Sequence, residues 1–387
     1  MNLVDIERAG EVAAQSVKFL REWRSDFIKF VQTLALAESP STVPESHGTV
    51  RDILRRALLD LGFEVQLIPG KKYGDHLLAQ VPGAFAEQML LGHLDTVWPL
   101  NTLETMPVEL DNDILRGPGI FDMKGGLAIG IFALRALETM DRVPPLAPGF
   151  LITSEEEIGS PESEYLIVDL AKKASRVFVL EPALGERGRI KTFRKGVGHF
   201  RVEVTGVSSH AGLDPDAGAS AIVELANVIH SLAGLADSKR GITVNVGVIE
   251  GGTRANVVAA HATAEVDVRV KTVEDARSIE AEIDCITASV PRTHVTIEGT
   301  VARDPLERTP RNQALWESAL GIASSIGADL EEGDSGGASD GNLTSQHTAT
   351  LDGLGAVGDG AHADHEFLHV DRSLERAAIL AGLLTLP

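Results

Sequence analysis

The sequence predicts an α/β protein whose main domain is interrupted by an antiparallel α+β domain of ferredoxin-like order. Three observations lead there. The 387-residue chain is too long for one small core, which favours two domains. Short apolar runs at 88–91, 150–153 and 176–180 read as buried strands and alternate with helical patterns, as a layered α/β sheet requires. After Thr192 the style changes: Phe200, Val202 and Val204 alternate with Arg201, Glu203 and Thr205, so one face of that strand meets solvent.

Along the chain, residues 12–36 carry Val17, Phe19, Leu20, Phe27, Ile28, Val31 and Leu34 at mixed helical spacings behind Gly10. They predict one long surface helix, stopped by Ser39, Pro40 and Ser41. Residues 50–61 predict a second amphipathic helix with Gly62 as its C-cap. Strands follow at 63–68, 76–81 and 88–91. A glycine-rich loop at 116–126 leads into an apolar helix at 127–137; it lacks phosphate-loop spacing, and its central Asp122 would repel an anion, so a cation is the better guest. Beyond Thr192 come a strand, a helix (219–232), two strands (242–249 and 262–270), a helix (273–290) and a strand (294–301), the order βαββαβ. From Pro305 the α/β style returns with a helix at 315–326, a glycine-rich loop at 333–341 and a final helix after Val370. The expected domains are 1–191 with 306–387, and 192–305.

A formal net charge of −21, from 35 basic and 56 acidic residues, argues against nucleic acid or an anionic membrane as partner. No apolar run of about 18 residues is present, and the start MNLVDIERAGEVAAQ is acidic where a signal peptide is basic and then apolar, so a cytoplasmic location is expected. Cys285, the only cysteine, excludes an intrachain disulfide and leaves His, Asp and Glu to build any metal site. Its helical context reads as buried packing.

His93 and Asp95, two residues apart after Met89, Leu90 and Leu91, point to the same side of an extended chain. The pair suits a metal ligand with its orienting carboxylate, but most such pairs are solvated polar pairs, so the remaining ligands must carry the reading. Two further strand ends carry carboxylates, Glu155 to Glu157 and Glu181, and ligands of open α/β sheets gather beyond strand ends. Two zinc ions need neutral imidazoles, carboxylates, one shared carboxylate and a free one to take a proton from the bridging water. His93 and Glu181 could hold one ion, Asp122 could bridge, and Glu157 with His362 could hold the other. Glu156 could then be the general base, because consecutive side chains diverge. Each residue also has a plainer reading: a solvated acidic run, a strand end before Pro182, a helix cap for Asp122, a surface histidine.

Taken together, GHLDTV, GIFDMKGG, TSEEEIGS, LEP, VSSHAG, GGTRANVV, GGASDGN and GAHADHEF resemble, in the same order, the zinc-dependent glutamate carboxypeptidases and related aminoacylases, acetylornithine deacetylases and di- and tripeptidases. The resemblance spans essentially the whole chain. It implies a zinc-peptidase-like catalytic domain with an inserted dimerisation, or lid, domain. It implies His93, Asp122 and Glu181 on a first zinc, Asp122, Glu157 and His362 on a second, Glu156 as base, and Asp95 behind His93. The register rests on Glu-Glu-Ile-Gly-Ser; a slip by one would pass the roles of base and ligand to Glu155 and Glu156. A cis bond between Asp122 and Met123 is implied too, although Met123 stands where some relatives carry Asn or Asp.

The same resemblance implies that His210 reaches the active site of a partner subunit and stabilises the oxyanion. Asn256 and Arg269 look like the substrate-binding pair, Arg269 taking a terminal carboxylate bidentately; an exposed arginine ending a strand is the alternative. Gly336, Gly337 and Ser339 could add donors to that carboxylate, and Arg194 and Lys195 could meet an acidic side chain. The run TFRKGVGHFRVEVTGVSSHAGLDPDAGASAIVELA is most similar to the glutamate carboxypeptidase type. That likeness implies a homodimer with two zinc ions per subunit, replaceable by cobalt or manganese. Such an enzyme would release a C-terminal amino acid, glutamate foremost, from small peptide or N-acyl amino acid substrates. N-acyl amino acid deacylation, of the acetylornithine deacetylase or aminoacylase type, is the nearest alternative because the chemistry is shared. Carbamoyl hydrolysis fits less well, since Ser160, Pro161 and Glu162 stand where Arg-Phe is usual. A non-catalytic metal-binding relative would lack the base or a ligand, and none is missing.

Overall fold

The computed structural model describes residues 2–387. They form two compact units, one reaching to Phe193 and completed by Arg308–Ser335 and Ser339–Pro387, the other comprising Arg194–Glu307 and Gly336–Ala338. The first unit is organised by an eight-stranded sheet in the order Glu64–Ile68, His76–Gln80, Pro148–Thr153, Gln88–His93, Arg176–Val179, Ala349–Asp352, Ile190–Arg194, Glu332–Ser335. The third to sixth of these strands run parallel. Three of the four are buried along their whole length, which is why they read as unbroken apolar runs in the sequence.

A second sheet of this unit has no counterpart in the sequence reading. Gly358–Asp359, Phe367–His369, Ile114–Arg116 and Glu109–Asp111 pair antiparallel in that order. These strands are two or three residues long, below the length at which alternation can be read.

Several expectations change in detail. The single helix at 12–36 is two, Leu3–Glu22 and Arg24–Leu36, and Gly10 lies inside the first. Asn2 and Asp5 form a capping box at its start. Trp23, at the break, stacks on Phe19, meets Phe132 edge-on and carries the Arg135 guanidinium 4.5 Å above its ring. The mixed apolar spacing is thus the sum of two differently facing helices. The predicted helix at 273–290 ends at Asp284, and Cys285, expected in the core, is an exposed C-cap. The glycine-rich loop at 333–341 contains the strand Glu332–Ser335 and starts the helix Asp340–Ser345. Among the described residues no helix is long and apolar enough to cross a membrane.

The second unit has a four-stranded antiparallel sheet in the order Thr243–Gly251, His261–Val270, Gly196–Thr205, His294–Arg303, with helices Ala221–Gly234 and Val273–Asp284. This is the ferredoxin-like arrangement. Phe200, Val202 and Val204 pack with Ala264, Val266 and Val268 against Leu225, Val228, Ile279 and Ile283. Each such large apolar side chain contributes roughly 1.5–3 kcal/mol by leaving water.

Candidate metal centre

His93 ends the strand Gln88–His93 and pairs in register with Thr153 of the parallel neighbour. The chain beyond Thr153 carries Glu155 to Glu157, and the chain beyond Val179 carries Glu181. Three adjacent parallel strands therefore deliver their polar groups at their carboxyl ends. Glycine permits the close packing beneath them: a Cβ on Gly126 would lie 2.0 Å from the Leu180 carbonyl oxygen, just before Glu181.

The His93 ring is oriented from behind. Its Nδ1 lies 3.0 Å from the Asp95 carbonyl oxygen and 3.3 Å from Asp95 Oδ1, which leaves Nε2 facing Glu181 Oε1 at 3.4 Å and Asp122 Oδ1 at 3.5 Å. Buried Asp95 does more than orient the ring. Its carboxylate accepts from Ser41 Oγ at 2.6 Å and from the backbone N–H groups of Glu156 and Glu157 at 3.2 and 3.3 Å. One side chain thus fixes an imidazole and the start of the acidic turn.

Glu155 points elsewhere. Fully buried, it accepts from the N–H groups of Glu162 and Ser163, ahead of the helix Glu164–Lys173, and lies 3.4 Å from His76 Nδ1. A carboxylate at a helix N-terminus is well placed electrostatically. Glu156 and Glu157 remain for the cluster. Glu156 brings an oxygen within 4.8 Å of ligand atoms of His93 and Glu181, and Glu157 does so with His93 and Asp122.

The small antiparallel sheet supplies the remaining groups. Asp122 follows its strand Ile114–Arg116, and His362 lies in the connection between Gly358–Asp359 and Phe367–His369. His362 Nε2 is 3.0 Å from Glu157 Oε2 and 3.5 Å from Asp122 Oδ2. Asp122 therefore turns one oxygen to His93 and the other to His362. Its bond to Met123 is cis. Glu366, buried, accepts from the N–H groups of Gly119, Phe121 and Asp122 at 2.8, 2.8 and 2.9 Å and from Trp98 Nε1 at 2.8 Å. Lys124, equally buried, donates to the Ala37 carbonyl at 2.8 Å; burial brings its ammonium down to about 8, against the pull of Glu366, Glu38 and Asp95.

The charges are unbalanced. Asp122, Glu156, Glu157 and Glu181 surround two imidazoles, with the Lys191 ammonium 3.9 Å from Glu181 Oε2. Burial pushes the Glu157 carboxyl up to about 7, and burial likewise lifts Glu366 to about 7 against its four donors. The neighbouring Asp122 and Glu157 raise His362 to about 10. His93 rises well above its ordinary value, because Asp122, Asp95 and Glu181 outweigh its burial, and Asp122 falls below its own through His362 and His93 despite burial.

Divalent cations fit this donor set. His93 Nε2, Asp122 Oδ1 and Glu157 Oε1 are buried without a hydrogen-bond partner, which is costly for polar atoms unless something else meets them. Donors about 2.0–2.1 Å from a tetrahedral zinc lie about 3.3–3.4 Å apart. The His93–Glu181 separation is 3.4 Å and both imidazole–Asp122 separations are 3.5 Å. Five groups, one shared, could hold two ions: His93, Asp122 and Glu181 for one, Asp122, Glu157 and His362 for the other.

The other sequence candidates fall differently. In the second unit His210 is exposed, and its Nδ1 accepts from the N–H groups of Gly212 and Leu213 at 3.2 and 3.1 Å, so the ring proton sits on Nε2. Asn256 is exposed beside it, its carbonyl accepting from Ala211 N at 3.0 Å. The guanidinium fork of Arg269 is engaged by Asp267 at 2.9 and 2.8 Å. Arg194, considered for an acidic substrate group, is instead buried and donates to the Gly337 and Ala338 carbonyls at 3.1 and 3.2 Å. Lys195 donates to the Gly241 carbonyl at 3.2 Å. Gly336 and Gly337 face open space. Ser339, read as a substrate donor, is a buried N-cap whose hydroxyl donates to Asp352 Oδ2 at 2.6 Å. Ser41, Trp98, Lys124, Lys191 and Glu366 were not singled out by sequence reasoning. Of these, Glu366 alone carries a signal in the sequence, its place four residues after His362 in the run 358–366.

Comparison with known proteins gives these positions a context. Residues 192–292 match the M20 peptidase dimerisation domain. Carboxypeptidase G2 of Pseudomonas sp. strain RS-16 is 27% identical over 365 residues, which cover 92% of this chain and 88% of that protein. Acetylornithine deacetylase of Salmonella arizonae is 28% identical over 258 residues, 62% of this chain and 65% of that protein. A crystal structure from Bacillus subtilis, of a dinuclear metal-binding peptidase from the M20 family, superposes with a TM-score of 0.65 at 16% identity, covering 94% of this chain and 98% of that one. The inserted unit thus matches an M20 peptidase dimerisation domain, and the relatives and structural neighbours of the chain are metallopeptidases and amide hydrolases of that kind.

Proposed function

We propose that this enzyme hydrolyses an amide bond to release a C-terminal amino acid, glutamate foremost, from small peptide or N-acyl substrates, using two zinc ions. The observation that carries the reading is the split of the Asp122 carboxylate, one oxygen toward His93 and the other toward His362; Glu156, with an oxygen within 4.8 Å of ligand atoms of His93 and Glu181, is assigned as the base and not as a ligand. Bound zinc ions supply an acidified water and a Lewis acid at the scissile carbonyl. Glu156 would accept a proton from the attacking water and donate it to the nitrogen of the leaving amine. Asp95 holds the backbone of Glu156 in place and keeps His93 in the tautomer with Nε2 available.

In a homodimer, His210 of one subunit would serve the other's site. The two N–H groups on its Nδ1 leave Nε2–H as a donor of fixed direction, suited to a developing oxyanion. Asn256 and Arg269 are assigned to the substrate carboxylate, which must exchange with Asp267 at the guanidinium fork. The match to a dimerisation domain supports the dimer, and solution mass tests it.

N-acyl amino acid deacylation is the second reading, favoured by similarity to acetylornithine deacetylase. A panel of N-acyl amino acids and peptides ending in glutamate or neutral residues separates the two. Preferential release of C-terminal glutamate from aryl-acyl or peptide substrates supports the first; turnover restricted to small acyl groups on basic amino acids replaces it with the second. Metal binding without turnover of any substrate overturns both.

A further inference from the structure

We infer that Glu366 is a positioning residue for the second metal ion, joining the three segments that carry His93, Asp122 and His362. The inference rests on the two-ion reading proposed above. Its geometry is independent of that reading. Each oxygen of Glu366 takes two donors: Oε1 the N–H groups of Phe121 and Asp122, Oε2 the N–H of Gly119 and the indole N–H of Trp98. Trp98 stands five residues after His93, the three backbone donors belong to the turn that ends in Asp122, and Glu366 itself is four residues after His362. The backbone adds one more link, with Gly117 N donating to the Glu366 carbonyl at 3.3 Å.

A glutamate with no exposure, bonded to the backbone of Asp122, has its burial offset by four donors but still adds to the repulsion among the carboxylates, and cations in the cluster would relieve that repulsion. The ligands also differ in what else holds them. His93 is fixed by Asp95, and Glu181 follows a buried parallel strand. His362 has a half-exposed side chain on a left-handed residue, φ 60°, in a short connection, so its position depends on the turn that Glu366 closes. Losing the clamp should therefore weaken the Asp122–Glu157–His362 group more than the His93–Asp122–Glu181 group.

The test is stepwise titration of metal-free full-length protein with Co2+, read by visible absorption, together with thermal melting. Wild type should bind two ions. Glu366→Gln, in which an amide replaces the carboxylate and turns an NH2 toward N–H donors, should keep the first affinity within a few-fold and lose about 10–100-fold in the second. Trp98→Phe removes one donor of the four and should lose affinity in the same order with a smaller factor, which keeps the test open if Glu366→Gln fails to fold. Unchanged second-site affinity in either folded variant, or equal weakening of both sites with a lowered melting temperature, overturns the inference. Fewer than two ions on wild type breaks the two-ion reading itself, a failure seen without any variant.

Discussion

The metal centre has two halves that the fold builds by opposite means. His93, Glu156, Glu157 and Glu181 follow the carboxyl ends of three buried parallel strands, so a large core fixes their origin. Asp122 and His362 come from loops around a sheet whose strands run two or three residues, and hydrogen bonds to Glu366 do the work that packing does in the other half. Behind the ligands of each half stands a buried carboxylate that hydrogen-bonds to their backbone or ring: Asp95 for the first, Glu366 for the second. The lesson is that a ligand's rigidity can come from the sheet that carries it or from a single side chain behind it, and the two are broken by different substitutions.

The largest expected effect is chemical. Glu156→Gln should lower kcat by about 100- to 10,000-fold while leaving both ions bound, because the general base is lost and no assigned ligand is. Steady-state kinetics with metal analysis on one preparation checks it, and a parallel loss of metal would move Glu156 into the ligand set of the first half. Next, Asp95→Asn should weaken the first ion about 10–100-fold and the second by a smaller factor through the Glu157 N–H that it also holds, the reverse order of the Glu366 variant, and should lower kcat because Glu156 loses its backbone anchor. Equal effects of the two substitutions on both ions would erase the distinction between the halves.

A smaller effect tests the packing beneath the strands. Gly126→Ala places a methyl group against the Leu180 carbonyl and should cost roughly 1–3 kcal/mol of stability as the helix Gly125–Thr139 shifts, measured by denaturant unfolding. The smallest concerns pH. In the metal-free chain Glu157 and His362 have values of about 7 and about 10, above their ordinary 4.5 and 6.5. Groups raised on folding add stability below their unfolded values and lose it as pH climbs through the folded ones. A bound ion requires both deprotonated and displaces those protons, so the metal-induced rise in melting temperature should grow from about pH 5 to about pH 8. An increment that shrinks over that range contradicts the assignment of these residues as ligands.

The same division explains what could be read from sequence. The strands that deliver His93, Glu157 and Glu181 announce themselves as apolar runs, and Phe200, Val202 and Val204 announce the exposed-face sheet of the second unit, because periodicity records burial. The strands beside Asp122 and His362 are too short to have a period, so Asp122 stands out through its glycine-rich loop, His362 through the donors that two ions require and then the motif resemblance, and Glu366 through neither. Trp23 hid a helix break for a similar reason: the helices on either side satisfy one blended pattern. Arg194 and Ser339 carry polar groups that suit a substrate, yet their partners, Gly337, Ala338 and Asp352, are 13 or more residues away and invisible to local reading.

Product analysis of the metal-loaded protein on a panel of C-terminal glutamyl peptides and N-acyl amino acids tests the central claim most directly. The account predicts a released C-terminal amino acid in stoichiometric yield with its acyl partner, abolished by chelation and restored by zinc. A fully metal-loaded chain that cleaves no member of the panel would contradict it.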